Sequence, residues 1–250
     1  MTPATKNLLQ RLGTAAVLLP PIIWLVFVGG WPCAVLFAVA SGLATFELFR
    51  LAVGPLSLHT AVPLAVAATL PLLPHAAPAA APALALVLLV AANAWAWGSW
   101  VMQGDVEHGA QLAPMVGQGT VFCSLGLFAL GALREAPGGE AWVLLVVAAT
   151  FGNDAFAYFG GRAFGKHKLA PHVSPGKSWE GLFSGVLGSA VAGALGLLVF
   201  PGTLRLSDAA ALAVITSTLG PVVDLMKGRI KFSVSQDLKP ACQVSSTAPS

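Results

Sequence analysis

The sequence predicts an all-α protein that crosses a membrane about eight times, with both termini cytoplasmic. Three observations predict it. Of 250 residues, 56% are hydrophobic and only 9% charged, where a soluble globular protein carries about 25% charged residues. So few charges cannot coat a water-facing surface, and the solvent for most of the chain is lipid. Apolar runs of spanning length recur along the chain, and the basic residues fall on one side of that pattern.

A spanning helix needs roughly 20 mainly apolar residues. The runs at 12–29, 32–49, 57–74, 82–101, 114–133, 141–160, 182–201 and 207–226 fit that length. Gly29-Gly30, Gly54-Pro55, Pro74 to Pro82, Gly104-Asp105, Pro137-Gly138-Gly139 and Pro201-Gly202 punctuate them. Pro63 and Pro71 interrupt the third run. Lys6 and Arg11 ahead of an apolar stretch resemble a signal peptide, but Ala38-Val39-Ala40 lies inside the second run, so the first run reads as a retained span.

Eight spans place both ends on one side. With a cytoplasmic N-terminus, Lys6, Arg11, Arg50, Arg162, Lys166, Lys168, Lys177, Lys227, Arg229, Lys231 and Lys239 all lie inside, and only Arg134 and Arg205 outside. That asymmetry is the positive-inside pattern. Glu47, Asp154, Glu180 and Asp224 fall near the cytoplasmic ends of the second, sixth, seventh and eighth runs. An ionisable group within a span costs about 2.5–3.5 kcal/mol on insertion scales, so it faces protein or a wet cavity. Four acids at one depth predict a shared inner-leaflet cavity.

Cys33, Cys123 and Cys242 are odd in number and hold no metal-ligand spacing, so neither a disulfide framework nor a zinc site is expected. His59, His75 and His108 read as surface residues, and Asn93 within the fourth run as an interhelical hydrogen bond. The tryptophans at 24, 31, 95, 97, 100 and 142 suit spans and interfacial belts rather than a base-stacking platform, so no nucleic-acid partner is expected.

The stretch from Phe151 to Gly181 stands out in so greasy a chain. One carboxylate, Asp154, precedes a segment holding Arg162, Lys166, His167, Lys168, His172 and Lys177, which closes on Ser178-Trp179-Glu180-Gly181. This predicts a membrane-embedded site for an anionic, phosphate-bearing substrate. Asp154 and Tyr158, four residues apart, share a helical face. The carboxylate is either a ligand for Mg²⁺, a hard cation favouring oxygen, or an acid paired with a basic loop residue for packing. Gly160 to His167 reads G-x-x-x-x-G-K-H, one residue from a P-loop, but it follows a span rather than a strand and His167 replaces the required Ser or Thr. What remains is the expectation that backbone N–H groups at Gly160, Gly161 and Gly165 face phosphate oxygens, against the plainer reading of a solvated positive loop. Ser178 is expected to cap the seventh helix, with Glu180 favoured in its first turn.

Asp154-x-x-Ala157-Tyr158-x-Gly160-Gly161-Arg162-x-x-Gly165-Lys166-His167-Lys168-Leu169, then Ser174-Pro175-x-Lys177-Ser178-Trp179-Glu180-Gly181, resembles the phosphatidate cytidylyltransferases, or CDP-diacylglycerol synthases. Glu47 near the end of the second run and the polytopic pattern are similar too, and the resemblance covers residues 10–231. It implies a transmembrane domain over 1–231 with its central motif at 151–181, followed by a disordered polar tail at 232–250. It further implies transfer of a cytidylyl group from CTP to phosphatidate at an inner (plasma) membrane, in phospholipid biosynthesis, with Mg²⁺ as cofactor and a homodimer as a possible assembly. On this resemblance Asp154, Lys177, Glu180 and Asp224 would be catalytic, with Asp154 and Asp224 on the metal. Arg162, Lys166, Lys168, Ser178 and Lys231 would contact substrate phosphates.

The C-terminus departs from the family pattern. Asp224-Leu225 and Lys231 match, but Val223, Lys227, Gly228 and Phe232 stand where the family has Gly, Glu, Ser and Arg. Gln236-Asp237 falls one residue early for the family's Lys-Asp pair, and no His-Gly-Gly turn with its following aspartates occurs in 232–250. A truncation, a frame error or a decayed paralogue would each produce this departure. The alternatives are therefore an inactive relative that only binds lipid or nucleotide, a membrane transporter, or a lipid kinase that releases CDP.

Overall fold

The computed structural model describes residues 17–170 and 174–216. Lys6, Arg11, His172, Asp224, Lys231, the end of the eighth expected span (217–226) and the polar tail (232–250) lie outside the described residues. The chain divides into two compact units, residues 1–143 and 144–250.

Six helices are long and apolar enough to cross a membrane among the described residues: Gly30–Ala52, Leu58–Ala76, Ala81–Met102, Gly109–Glu135, Gly139–Phe164 and Trp179–Val199. They coincide with the second to seventh expected spans. Two shorter apolar helices, Val17–Val28 and Leu206–Thr216, fall on the first and last. The helices are numbered α1 (Val17–Val28), α2 (Gly30–Ala52), α3 (Leu58–Thr69), α4 (Leu73–Ala76), α5 (Ala81–Met102), α6 (Val106–Glu135), α7 (Gly139–Phe164), α8 (Trp179–Val199) and α9 (Leu206–Thr216).

In the first unit, small residues lie inside and large apolar ones outside. Ala67, Ala96, Ala113, Ser41 and Thr120 are fully buried, whereas Val39, Leu86 and Phe122 are more than half exposed. Lipid is as apolar as leucine, so helices in it gain by close approach through small residues rather than by hiding large ones. Ser41 Oγ donates to Ala67 O at 2.6 Å, tying α2 to α3. The two prolines of the third span segment it without ending it. Pro63 sits inside α3, and Pro71 falls in a 3₁₀ turn, Leu70–Leu72, that leads into α4, as expected of a residue that removes a backbone donor. Ser57 and Thr60 close a capping box at the start of α3.

At the end of α1 the chain turns through Gly29, whose φ of 67° lies in the left-handed region. Arg134 of α6 donates there from Nε to Val26 O (2.7 Å) and from Nη2 to Phe27 O (3.1 Å). It thus satisfies last-turn carbonyls that have no partner within their own helix. Three sequence expectations are revised here. His59 is half-buried in α3, stacked on Trp100 at 4.2 Å, with Nδ1 2.8 Å from Ser99 Oγ. His75 is likewise engaged, 3.0 Å from Glu135 Oε1 and edge-on to Trp31. Asn93 donates to Leu89 O of its own helix at 2.8 Å rather than across helices, while its Oδ1 lies where a Cβ on Gly117 of α6 would be. Cys33 and Cys123 are thiols.

In the second unit α7 and α8 meet along glycine and serine. A Cβ on Gly188 would meet the Gly152 carbonyl carbon at 2.8 Å, one on Gly152 would meet Gly188 O at 2.9 Å, and one on Gly181 would meet Ala157 O at 3.0 Å. Because those neighbours are backbone, they cannot swing aside. Ser189 Oγ donates to Ala149 O (3.1 Å), and Asn153 Nδ2 donates to Thr216 O (3.0 Å), joining α7 to α8 and α9. Gly188→Ala is therefore expected to cost about 1–3 kcal/mol, the usual range for overpacking. Thermal unfolding in detergent checks it, and an unchanged midpoint would mean the helices do not approach this closely.

One departure from an all-helical expectation matters for the site. Lys168–Ala170 (β1) and Ser174–Ser178 (β2) form an antiparallel ribbon, pairing Lys168 with Ser178 and Ala170 with Ser174.

Candidate functional site

The site is built at the junction of α7, the ribbon and α8. Helix α7 runs on through Gly160-Gly161 to Phe164, so Arg162 is helical, in its last turn. Asp154, Tyr158 and Arg162 are exposed and spaced four apart, which sets them along one face of α7. Arg162 Nη1 donates to Tyr158 OH at 3.3 Å. Beside Asp154, Asn153 is 7% exposed; its bond to Thr216 fixes the turn of α7 that presents the carboxylate.

The glycines act differently from the sequence expectation. Gly160 and Gly161 lie within α7, where N–H groups bond inside the helix, and Gly165 N donates to Gly161 O at 3.1 Å. These amides are not turned toward a ligand. Gly160 instead leaves room for Ser184 of α8, and Gly161 for Ser178 and Gly181. The motif's glycines are close-packing positions.

Ser178 is 5% exposed and is the N-cap of α8, its Oγ accepting from Gly181 N at 3.2 Å. Lys166 and Lys168 are exposed, Lys177 is half-buried in β2, and Trp179 is exposed. Between residues 155 and 180 the sequence holds four Lys and Arg residues, Arg162, Lys166, Lys168 and Lys177, and a single carboxylate, Glu180. That carboxylate is already engaged by His167. Its Oε1 lies 2.7 Å from His167 Nδ1, and the His167 backbone N–H donates to Oε1 and Oε2 at 3.2 and 3.3 Å. A carboxylate only accepts, so the imidazole carries a proton on Nδ1. In return Trp179 N donates to His167 O at 3.0 Å. The result is a positively charged ribbon held against the first turn of α8, whose own dipole favours an anion nearby.

Of the expected site residues, the structure brings Lys168, Lys177, Ser178 and Glu180 together on the ribbon and α8, with Lys166 on the segment entering β1. Asp154 and Arg162 stand on α7 of the same unit, and Glu47 lies exposed near the C-terminal end of α2 in the other unit. Asp224 and Lys231 lie outside the described residues. His167 had no assigned role in the sequence. Its contact spans thirteen residues and exists only because the chain doubles back between β1 and β2.

Asp154 is an oxygen donor of the kind Mg²⁺ takes, and that ion is commonly held by one or two carboxylates completed by substrate phosphates. Among the described residues no group of three or more His, Cys, Asp or Glu side chains is placed to hold a metal by itself. Among the described residues, Asp154 fits an ion shared with a phosphate substrate.

The model of the cytidylyltransferase family matches residues 9–234. A phosphatidate cytidylyltransferase of Pseudomonas aeruginosa is 50% identical over 54 residues, 22% of this chain and 20% of the relative. One from Haemophilus influenzae is 58% identical over 45 residues, 18% of this chain and 16% of the relative. One from Brucella abortus is 34% identical over 110 residues, 42% of this chain and 40% of the relative. The matched stretches thus span well under half the length of these relatives. With the family match running across nearly the whole sequence, this polytopic membrane chain belongs to the cytidylyltransferase family.

Proposed function

We propose that the chain transfers a cytidylyl group from CTP to phosphatidate, giving CDP-diacylglycerol and pyrophosphate at the inner membrane. A phosphatidate oxygen attacks the α-phosphorus of CTP, the bond to the β-phosphate breaks, and pyrophosphate leaves. The observation that carries this reading is the ribbon itself, which sets Lys168 opposite Ser178 and gathers exposed cations at the start of α8. Negative charge builds on the phosphoryl oxygens as the bonds exchange, and fixed cations placed there lower its energy.

On this reading Lys166, Lys168, Lys177 and Arg162 hold the triphosphate, with Lys231 a further contact from the C-terminal segment. Ser178 sets the start of α8, and Glu180 positions the ribbon. Asp154 and Asp224 would hold Mg²⁺, which would supply positive charge to neutralise the phosphates and the leaving group. The lipid enters sideways from the bilayer. Eight spans with both termini cytoplasmic place the ribbon on the side where CTP is found, with α1 and α9 as parts of the first and last spans.

The test is product analysis. Purified protein in phosphatidate-containing micelles, given labelled CTP and Mg²⁺, is expected to yield CDP-diacylglycerol and pyrophosphate. CDP as the released nucleotide would make it a lipid kinase instead. No product beside an active relative would sink the proposed activity.

A further inference from the structure

His167 is fastened at three points to the first turn of α8. Its N–H and its Nδ1 both reach the Glu180 carboxylate, and its carbonyl accepts from Trp179 N. Its neighbours in sequence are Lys166 and Lys168, both exposed. Lys168 is in turn paired with Ser178, the N-cap of the same helix. Ser178 Oγ is committed to Gly181 N and packs under Gly161 and Gly165. The segment carrying two lysines is thus pinned from both directions to a helix start that is itself locked against α7. A Glu180 carboxylate bonded this way has both oxygens engaged by His167.

We propose that His167 is a positioning residue. Clasped to Glu180, it fixes Lys166 and Lys168 as a preset pair of contacts for the phosphates of a nucleoside triphosphate, and Glu180 acts through it rather than on the substrate. Long lysine side chains lose rotamer freedom when they bind phosphate, and a backbone already held in place reduces the remaining ordering cost. Opening the clasp therefore weakens capture of the nucleotide more than it slows the chemistry of nucleotide already bound. The kinetic part of this inference rests on the proposed cytidylyl transfer; the structural part does not.

The experiment uses the full-length protein in detergent, comparing wild type with His167→Ala, Glu180→Ala, the double variant and His167→Asn. Trypsin cleaves after lysine, so cutting at Lys166 and Lys168 reads the clasp directly, and protection by added CTP with Mg²⁺ reads nucleotide capture. Cutting is expected to be about tenfold faster in His167→Ala, and at least as fast in Glu180→Ala, which also removes the acceptor of the His167 backbone N–H. It should be no faster in the double variant than in Glu180→Ala, since the side-chain contact is common to both substitutions. KM for CTP should rise about tenfold with kcat changed less than threefold. Asparagine, whose amide can donate where Nδ1 does, should recover most of the wild-type KM.

Equal cutting rates in all variants, or a double variant that multiplies the two single effects, overturn the clasp. Faster cutting with unchanged KM and unchanged CTP protection overturns the positioning role. A Glu180→Ala loss confined to kcat, with His167→Ala silent, overturns it by making Glu180 a direct catalyst. If wild type gives no product yet CTP protects it, and protection needs about ten times more CTP in the alanine variants, the cytidylyl transfer fails and the clasp stands. Absence of any CTP protection in wild type overturns the positioning role together with the nucleotide assignment.

Discussion

Asp154→Asn is expected to lower CDP-diacylglycerol formation by roughly 10³-fold, several kcal/mol of lost transition-state stabilisation, while leaving the protein folded. Asn keeps the size and shape of Asp but removes the charge that a hard cation needs. The fold should tolerate it because Asp154 is exposed, whereas the neighbouring Asn153 is buried and makes the anchoring bond to Thr216. Initial rates in micelles measure the loss, and thermal unfolding in the same detergent checks the fold. A variant within tenfold of wild type would place Asp154 outside the reaction and return it to the role of a packing carboxylate. Raising the Mg²⁺ concentration should not restore full activity, since the missing charge belongs to the protein.

Lys166→Ala and Lys168→Ala carry the second large effect. A hydrogen bond to a charged group contributes about 1.5–3 kcal/mol. Each substitution is therefore expected to lower kcat/KM for CTP roughly 10- to 100-fold, at about 1.4 kcal/mol per tenfold. Both side chains are exposed, so neither substitution removes core packing. Their effect should also shrink at high salt, because exposed charges are screened beyond roughly 10 Å at 0.1 M ionic strength. Losses that do not depend on salt, or losses equal to those from Lys6→Ala, would make the ribbon a solvated loop with no part in binding phosphate.

Much of the fold was legible because lipid imposes simple demands. Apolar length with glycine and proline between runs is enough to find six spans, and even Pro63 and Pro71 only segmented the third. Ser178 as helix cap was legible as well, since capping depends on a local pattern. The ribbon was not, because β1 and β2 are short, and Pro175, which has no N–H to donate, argues against a strand when seen alone. The glycines at 160, 161 and 165 have one sequence signature for two physical uses: amides open to an anion, or room for a neighbouring helix. Only the position of Ser184 and Gly181 across from them decides for the second. His59 was misread for a similar reason, since a lone histidine near a break says nothing of the Trp100 ring forty-one residues away that stacks on it.

The most direct measurement of the central claim is lysine footprinting with and without CTP and Mg²⁺. The intact protein in detergent is acetylated, and each lysine's modification is quantified by mass spectrometry. If the ribbon at the start of α8 receives the nucleotide phosphates, CTP should slow acetylation of Lys166 and Lys168 severalfold and leave Lys6 unchanged. Unchanged reactivity at Lys166 and Lys168, with CTP at concentrations that support turnover, would contradict it.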